Sequence, residues 1–334
     1  MSETITMAHG SGGAKTSELI ERIFKKYLGN PLFTADDAAV LPSNTNRLAV
    51  STDGFIVSPP DFPGGNIGKL SICGTVNDLA CMGAVPKYLT CAFVIEEGLP
   101  FDDLERYVAA MAITAAEAGV HIVAGDTKVA GRGQVDKLFI TTTGIGEIRD
   151  GLCLSGAAAQ PGDKIIVSGD IGRHGCAILL ARDTFGIEAD ITSDCAPLNR
   201  TVAAVLAQTE NIHVIRDATR GGVGTVLYEI AAQSGTGMHL TAQDIPVRPA
   251  VKGVCGMLGL EPLYLACEGR LVFVVPAEAA EQAVAVLHTQ PYSVDAAIIG
   301  EVTDGRSGTV TVTTEIGTET ILPPPSGELL PRIC

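Results

Sequence analysis

The run Asn66-Ile67-Gly68-Lys69-Leu70-Ser71-Ile72-Cys73-Gly74-Thr75-Val76-Asn77-Asp78-Leu79-Ala80-Cys81-Met82 decides how the chain is read. It reads as one glycine-interrupted helix carrying a polar pair, Asn77 and Asp78. Strands are predicted on both sides of it, over 47–52 and 88–95. Further along, 101–119 reads as a helix that runs from an acidic first turn (Asp102, Asp103) to a glycine stop. Strands follow over 120–124 and 137–144, the latter rich in Thr and β-branched residues. Upstream, apolar residues at 19, 20, 23, 24, 27 and 28 form a helical stripe over 17–28.

At 151–162 this pattern breaks into small residues ending in Pro161-Gly162-Asp163, which marks a domain boundary. The second half restarts with a strand over 164–168 and a helix over 174–182. Helices near 197–207 and 222–233 and strands near 271–275 and 309–313 follow, then a tail from about Ile321. At 334 residues the chain exceeds one ordinary core. The expected fold class is therefore α/β, in a mixed α+β sense: a domain over 1–150, a second over 151–320, and a tail over 321–334. Both halves alternate strands and helices, but no clean sequence repeat relates them.

Composition excludes several classes of partner. Trp is absent and aromatics make up 4%, so stacking platforms for bases or sugars are not expected. A net charge of −15 argues against nucleic acid or an anionic membrane, both of which call for basic patches. The start, Met1-Ser2-Glu3-Thr4, has neither the basic nor the apolar region of a signal peptide. No apolar run is long enough to span a bilayer, so a cytoplasmic protein is expected. Of nine cysteines, Cys73, Cys81, Cys91, Cys153, Cys176, Cys195, Cys255 and Cys267 lie in apolar or helical contexts. With no Cys-x-x-Cys pair and no nearby histidine cluster, they read as small core residues in a reducing compartment.

The ninth, Cys334, ends the sequence in Pro331-Arg332-Ile333-Cys334, after the stiffening run Pro323-Pro324-Pro325. A terminal thiol is either a chance end residue or a group that is loaded in one place and processed in another.

The residues suited to chemistry fall in short clusters. His9-Gly10-Ser11-Gly12-Gly13 precedes a helix, and its backbone can wrap phosphate or simply form an N-terminal arm. It is neither a Walker A loop nor a dinucleotide fingerprint. Asp36, Asp53, Asp78 and Asp126 follow, with Asp53 and Asp126 placed at strand ends. Each alone suits a turn or cap; as a set on one rim they repel unless cations bound to nucleotide phosphates neutralise them. Thr127 and Lys128 adjoin Asp126. In the second half, Asp217-Ala218-Thr219-Arg220-Gly221-Gly222 runs into a helix that Asp217 or Thr219 can cap, and its glycines leave N–H groups open to an anion. Glu268, in Cys267-Glu268-Gly269-Arg270, is a turn residue or a base facing the cleft; Arg270 reads as interchangeable with Lys.

Together, the glycine-rich start, Asp36-Asp37-Ala38-Ala39-Val40-Leu41, Ser51-Thr52-Asp53, the stretch from Gly68 to Asp78, Gly125-Asp126-Thr127-Lys128 and the Asp217–Gly222 segment resemble the ATP-dependent aminoimidazole ribonucleotide synthetase (PurM-like) superfamily. Within it, the end Pro331–Cys334 resembles that of the hydrogenase-maturation carbamoyl dehydratases, the HypE family. The similarity runs from His9 to Cys334.

This resemblance implies a two-domain PurM-like fold whose first domain pairs its sheet with that of a second copy, with ATP at or near the homodimer interface. It also implies synthesis of the cyanide ligands of [NiFe]-hydrogenase iron. A carbamoyltransferase, HypF, loads a carboxamide onto the terminal thiol, ATP drives its dehydration to a thiocyanate, and HypC–HypD accepts the cyanide. Carried onto this sequence, Mg-ATP falls to Asp36, Asp53, Asp78 and Asp126, with Gly12, Gly13 and Thr127 as further nucleotide contacts. Asp217, Thr219, Arg220, Gly221 and Gly222 line the phosphate side. Lys128 lies near the amide, Glu268 accepts its proton, and Cys334 carries the substrate. Another kinase-like member of the superfamily would have no use for Cys334, and a mere carrier would not need the carboxylates. The tail from Ile321 spans roughly 45 Å fully extended, enough for a hinged arm.

Overall fold

Two β-sheets, one from each half of the chain, meet around one buried helix. The computed structural model describes residues 13–19, 21, 39–41, 47–182, 185–209 and 211–324. Helix α1 (Gly13–Leu19) begins earlier than expected; the stretch from residue 22, with Gly12, Asp36 and Cys334, lies outside the described residues. Strands β1 (Ala39–Leu41), β2 (Arg47–Phe55), β3 (Asp61–Phe62) and β4 (Gly65–Asn66) lead into α2 (Ile67–Cys81). Then come β5 (Ala84–Glu96), α3 (Phe101–Ala118), β6 (His121–Ala130) and β7 (Leu138–Ile148). The sheet order is β1-β2-β7-β5-β6, with only β5 and β6 parallel. Helices α2 and α3 cover one face of this sheet. The other face is open, and at its edge nine of the ten residues of β6 are exposed.

Helix α2 is the deciding element, and it is buried all round apart from two side chains, Lys69 and Asp78. Such a helix belongs in a core, not on a surface. Asn66 caps it by accepting the Lys69 N–H at 3.0 Å. Its glycines are close-contact positions. A Cβ at Gly68 would lie 2.0 Å from the Tyr107 carbonyl oxygen of α3, and one at Gly74 would strike the Phe55 ring at 2.7 Å. As the sequence indicates, α3 stops at Gly119, which adopts φ 77° in the left-handed region.

The second half contains β8 (Lys164–Val167), α4 (Arg173–Ala181), α5 (Asn199–Gln208), β9 (Val214–Asp217), α6 (Gly222–Ser234) and β10 (Gly237–Thr241). It continues with α7 (Pro249–Leu258), β11 (Leu271–Val275), α8 (Ala277–His288), β12 (Ala297–Thr303), β13 (Thr309–Thr313) and β14 (Glu319–Ile321). These strands form a seven-stranded sheet, β14-β13-β10-β12-β8-β11-β9, in which only the β10–β13 pair is parallel. β11, flanked by β8 and the edge strand β9, is buried at all five residues. The sequence patterns do not mark β9, β10, α7, α8, β12 or β14.

The halves share one apolar core. Ala49, Leu79, Met82 and Ile148 from the first pack in the same cluster as Ile166, Leu198, Ile215 and Phe273 from the second. The short β3–β4 hairpin also reaches across: at Gly64 (φ +94°) a Cβ would lie 2.8 Å from the Ser193 backbone, which explains a glycine the sequence left unassigned. Cys153 is exposed, correcting its reading as a core residue; the other described cysteines are buried. No helix among the described residues is long and apolar enough to cross a membrane.

Polar stitching supplements the core. Asn77, 2% exposed, donates from Nδ2 to the carbonyls of Ala196 (3.1 Å) and Glu268 (3.4 Å) and accepts the Leu198 N–H at 2.7 Å. Removing its amide leaves buried backbone groups unpaired. Asn77→Ala is therefore expected to destabilise the protein by about 2–4 kcal/mol, read from its chemical denaturation midpoint.

Candidate active site

Strand β2 does not stop before Asp53 but continues to Phe55, so Asp53 lies within the strand and on one of its faces. Its register partner is Thr142, which is buried against α2 and donates to the Ser71 carbonyl at 2.9 Å. The Asp53 carboxyl is thereby held under α2. Burial raises its pKa above the ordinary value, the Arg220 guanidinium and the Gly54 N–H oppose the shift, and Asp217 adds to it. Two residues back, on the same face, Ser51 donates its hydroxyl to Asp78 at 2.5 Å. Asp53 of the first half thus meets Asp217 and Arg220 of the second, with Asp78 held on the same strand through Ser51.

Asp217 ends β9 opposite Leu271 in the antiparallel ladder, so the loop after β9 runs beside the segment before β11. Ala218 seals the contact, donating to the Arg270 carbonyl at 3.0 Å and accepting the Cys267 N–H at 2.9 Å. Gly221 and Gly222 both adopt positive φ, and a Cβ on Gly222 would lie 2.5 Å from the carbonyl oxygens of Leu263 and Leu265. The expected Asp or Thr cap is not formed: Gly221 occupies the N-cap of α6 with no side-chain cap bond. The helix start is left to its backbone N–H groups, an arrangement that suits an anion. Thr219 contributes its carbonyl, which accepts the Gly222 N–H at 3.0 Å.

Glu268 is 4% exposed and fixed at both ends of its peptide. Its N–H donates to Asp194 at 2.8 Å, and its carbonyl accepts from Asn77, the residue preceding Asp78. Its charge is felt by the thiol of Cys195, which is raised well above the ordinary thiol range. A hydrogen bond with Cys73 and burial are the leading causes of that shift, with Glu268 adding and Lys69 opposing. Gly269 is forced by the same turn, because a Cβ there would lie 1.8 Å from the Asp194 carbonyl oxygen.

Arg270 corrects the expectation that Lys would serve equally. Its fork donates to the Asp170 carbonyl (2.7 Å) and carboxylate (2.6 Å) and to the carbonyls of Gly269 (2.6 Å) and Tyr292 (3.0 Å). A lysine has neither the donors nor the planar geometry for that set. Beside it lies a cleft of about 190 Å³ whose lining includes Lys69, Arg173, Asp194, Cys195 and Arg248. Asp170, Asp194 and Lys69 carried no assignment from the sequence. Gly169-Asp170 after β8 repeats the strand-then-Gly-Asp pattern of Gly125-Asp126 and was the one available signal.

Asp126 and Lys128 lie elsewhere. They are not at a strand end: β6 runs from His121 to Ala130. Asp126 pairs in register with Ala92 and that residue with Thr141, one row off the Asp53–Thr142–Cys91–Gly125 row. Side chains alternate faces along a strand, so Asp126 and Lys128 occupy the open face, opposite Asp53. There Asp126 accepts from Lys128 Nζ (3.0 Å) and from the Thr127 N–H (2.8 Å), contacts that lower its pKa. The single rim of four aspartates is therefore not formed within one chain. Thr127 alternates to the helix-covered side. Among the described residues no three His, Cys, Asp or Glu side chains gather into a cation site. Asp53 and Asp78 do supply the hard oxygen donors that Mg²⁺ takes alongside nucleotide phosphates and water.

Comparison with known proteins identifies the family. The model of the AIR synthase related protein N-terminal domain matches residues 35–148, and that of its C-terminal domain matches 160–313. Carbamoyl dehydratase HypE of Azotobacter vinelandii is 47% identical over 332 residues, covering 99% of this chain and 97% of that protein. A crystal structure of HypE in complex with ATP superposes with a TM-score of 0.84 at 47% identity, covering 99% of this chain and 100% of that one. The HypE chain of a HypE–HypF complex gives a TM-score of 0.88 at 46% identity, covering 92% and 99%. The chain thus belongs to the AIR synthase related proteins and, within them, to the HypE family.

Proposed function

We propose that this chain is an ATP-dependent carbamoyl dehydratase of [NiFe]-hydrogenase maturation whose substrate is a carboxamide on its own Cys334. The observation that carries the reading is the pairing of two kinds of chemistry on consecutive residues of one buried helix. Asp78 is held by Ser51 on the strand that carries Asp53, which meets Asp217 and Arg220, a set suited to a nucleotide's phosphates, while Asn77 holds the backbone of Glu268. The ATP complex and the dehydratase name of the relatives point the same way.

The reaction is R–S–CO–NH₂ + ATP → R–S–C≡N + ADP + phosphate. The amide oxygen is a poor leaving group, so the γ-phosphoryl group is transferred to it, and phosphate then departs as the C≡N bond forms. Arg220 and the Gly221 N–H at the start of α6 stabilise phosphate charge, on a turn that the Gly222 N–H closes onto Thr219. Glu268 removes a nitrogen proton. Asp53 and Asp78 would hold Mg²⁺, which supplies charge neutralisation at the phosphates when bound.

Asp126 and Lys128 enter through a second copy of the chain. The open sheet face carries exposed Tyr88 (50%) and, directly opposite it on β7, Ile145 (38%). Its edge is the exposed strand β6, a ready surface for another sheet. Pairing of two such faces buries Asp126 and Lys128 in the homodimer, where Lys128 can approach a reacting amide. In this reading, residues 1–150 bind nucleotide and dimerise, and 151–320 close over the phosphates. HypF loads the thiol and HypC–HypD accepts the product, in a cytoplasmic setting.

Three outcomes are expected. After incubation with the carbamoyltransferase, carbamoyl phosphate and Mg-ATP, the C-terminal peptide gains a carboxamide and then loses one water by mass spectrometry, whereas Cys334→Ala binds ATP normally and yields no product. Glu268→Gln accepts the carboxamide but dehydrates it at least 100-fold more slowly in single turnover. The double variant Tyr88→Asp/Ile145→Asp sediments as a folded monomer and dehydrates at least tenfold more slowly. Product formation by Cys334→Ala at the normal rate would remove the self-substrate from the account.

A further inference from the structure

The last described residues are tied down more firmly than a strand end requires. β14 pairs with β13, and the Leu322 N–H donates to the Val310 carbonyl at 2.9 Å. Leu322 itself is buried in the second-half core. Two phenols then close on consecutive carbonyls: Tyr228 of α6 donates to Leu322, and Tyr264 donates to Pro323. Burial raises both phenols above their ordinary pKa, so both keep the proton they donate.

Tyr264 also touches both site loops. Its ring lies so close to α6 that a Cβ on Gly224 would meet it at 2.6 Å, and the backbone around it is the surface on which Gly222 rests. Four residues later comes Glu268. One side chain therefore links the root of the tail, the start of α6 and the segment that carries the proposed base.

We propose that Tyr228 and Tyr264 are positioning residues that clamp the root of the C-terminal arm, placing its pivot at Pro323 beside the start of α6. This rests on the reading of Cys334 as the substrate carrier. Moving the pivot from Ile321 to Pro323 leaves eleven residues to Cys334, a reach of about 36–40 Å when extended. Pro324 and Pro325 follow the pivot directly. Prolines fix φ and stiffen a chain over several residues, so they transmit the direction set at the clamp into the arm. A directed arm presents its thiol to the site at a higher effective concentration than an undirected one.

The test compares the full-length protein with Tyr228→Phe/Tyr264→Phe, which keeps the rings and removes the donors. Amide exchange over 319–324 should quicken three- to tenfold in the variant, and this readout does not depend on any chemistry at Cys334. Single-turnover dehydration of the carbamoylated tail should slow three- to tenfold. In a Cys334→Ala background, an S-carbamoylated peptide of residues 325–334 supplied free should be dehydrated equally with and without the tyrosine hydroxyls. Unchanged exchange, an unchanged intramolecular rate, or an equal loss with the free peptide would each overturn the clamp. A parent protein that never dehydrates its loaded tail, yet shows the exchange difference, would overturn the self-substrate reading and the arm's role while leaving the root contact itself in place.

Discussion

The structure depends on a helix that has almost no solvent face. Because α2 is enclosed by its own sheet, by α3 and by the second half of the chain, each of its polar side chains must find a partner or an opening. Asn77 finds three backbone partners across the domain junction. Asp78 finds Ser51, and Lys69 reaches the Gly64 carbonyl at 3.2 Å beside the cleft. The same burial that makes the helix a structural spine makes its two outlets the walls of the site. Stability and placement of chemistry therefore cannot be separated here: a change that loosens Asn77 also lets go of the Glu268 backbone.

A second set of contacts holds the far wall rigid. Asp194 accepts the N–H groups of both Glu268 and Gly269 (2.8 and 3.2 Å), and Asp170 takes the Arg270 fork. Buried ion pairs add little net stability because desolvation offsets the attraction, but they fix geometry when every donor is used. The Arg270 fork comes close to that condition, since its four bonds to three residues leave it little freedom to move.

Much of this was legible in the sequence where local rules govern. The glycine stop after α3 and the strand β11 follow from left-handed backbone and apolar runs. The motifs clustered at Asp53, Asp78, Asp217 and Glu268 do converge. What local reading could not supply was side-chain direction. Asp53 and Asp126 each looked like a strand-end carboxylate, yet both strands run on, and the one-row offset between them sends the two side chains to opposite faces. The Arg270 requirement was equally hidden, because it comes from Asp170 and Tyr292, distant in sequence. Gly64 and Gly269 show the same limit, since their reason is a backbone passing within van der Waals distance from the other half.

In the proposed reaction, ATP activates the amide oxygen of a carboxamide on Cys334. The most direct measurement labels that oxygen with ¹⁸O, adds Mg-ATP to the loaded protein and weighs the inorganic phosphate formed in one turnover. The account predicts one ¹⁸O atom in each phosphate released with thiocyanate formation. Unlabelled phosphate, with the label appearing in water or remaining on the protein, would contradict it.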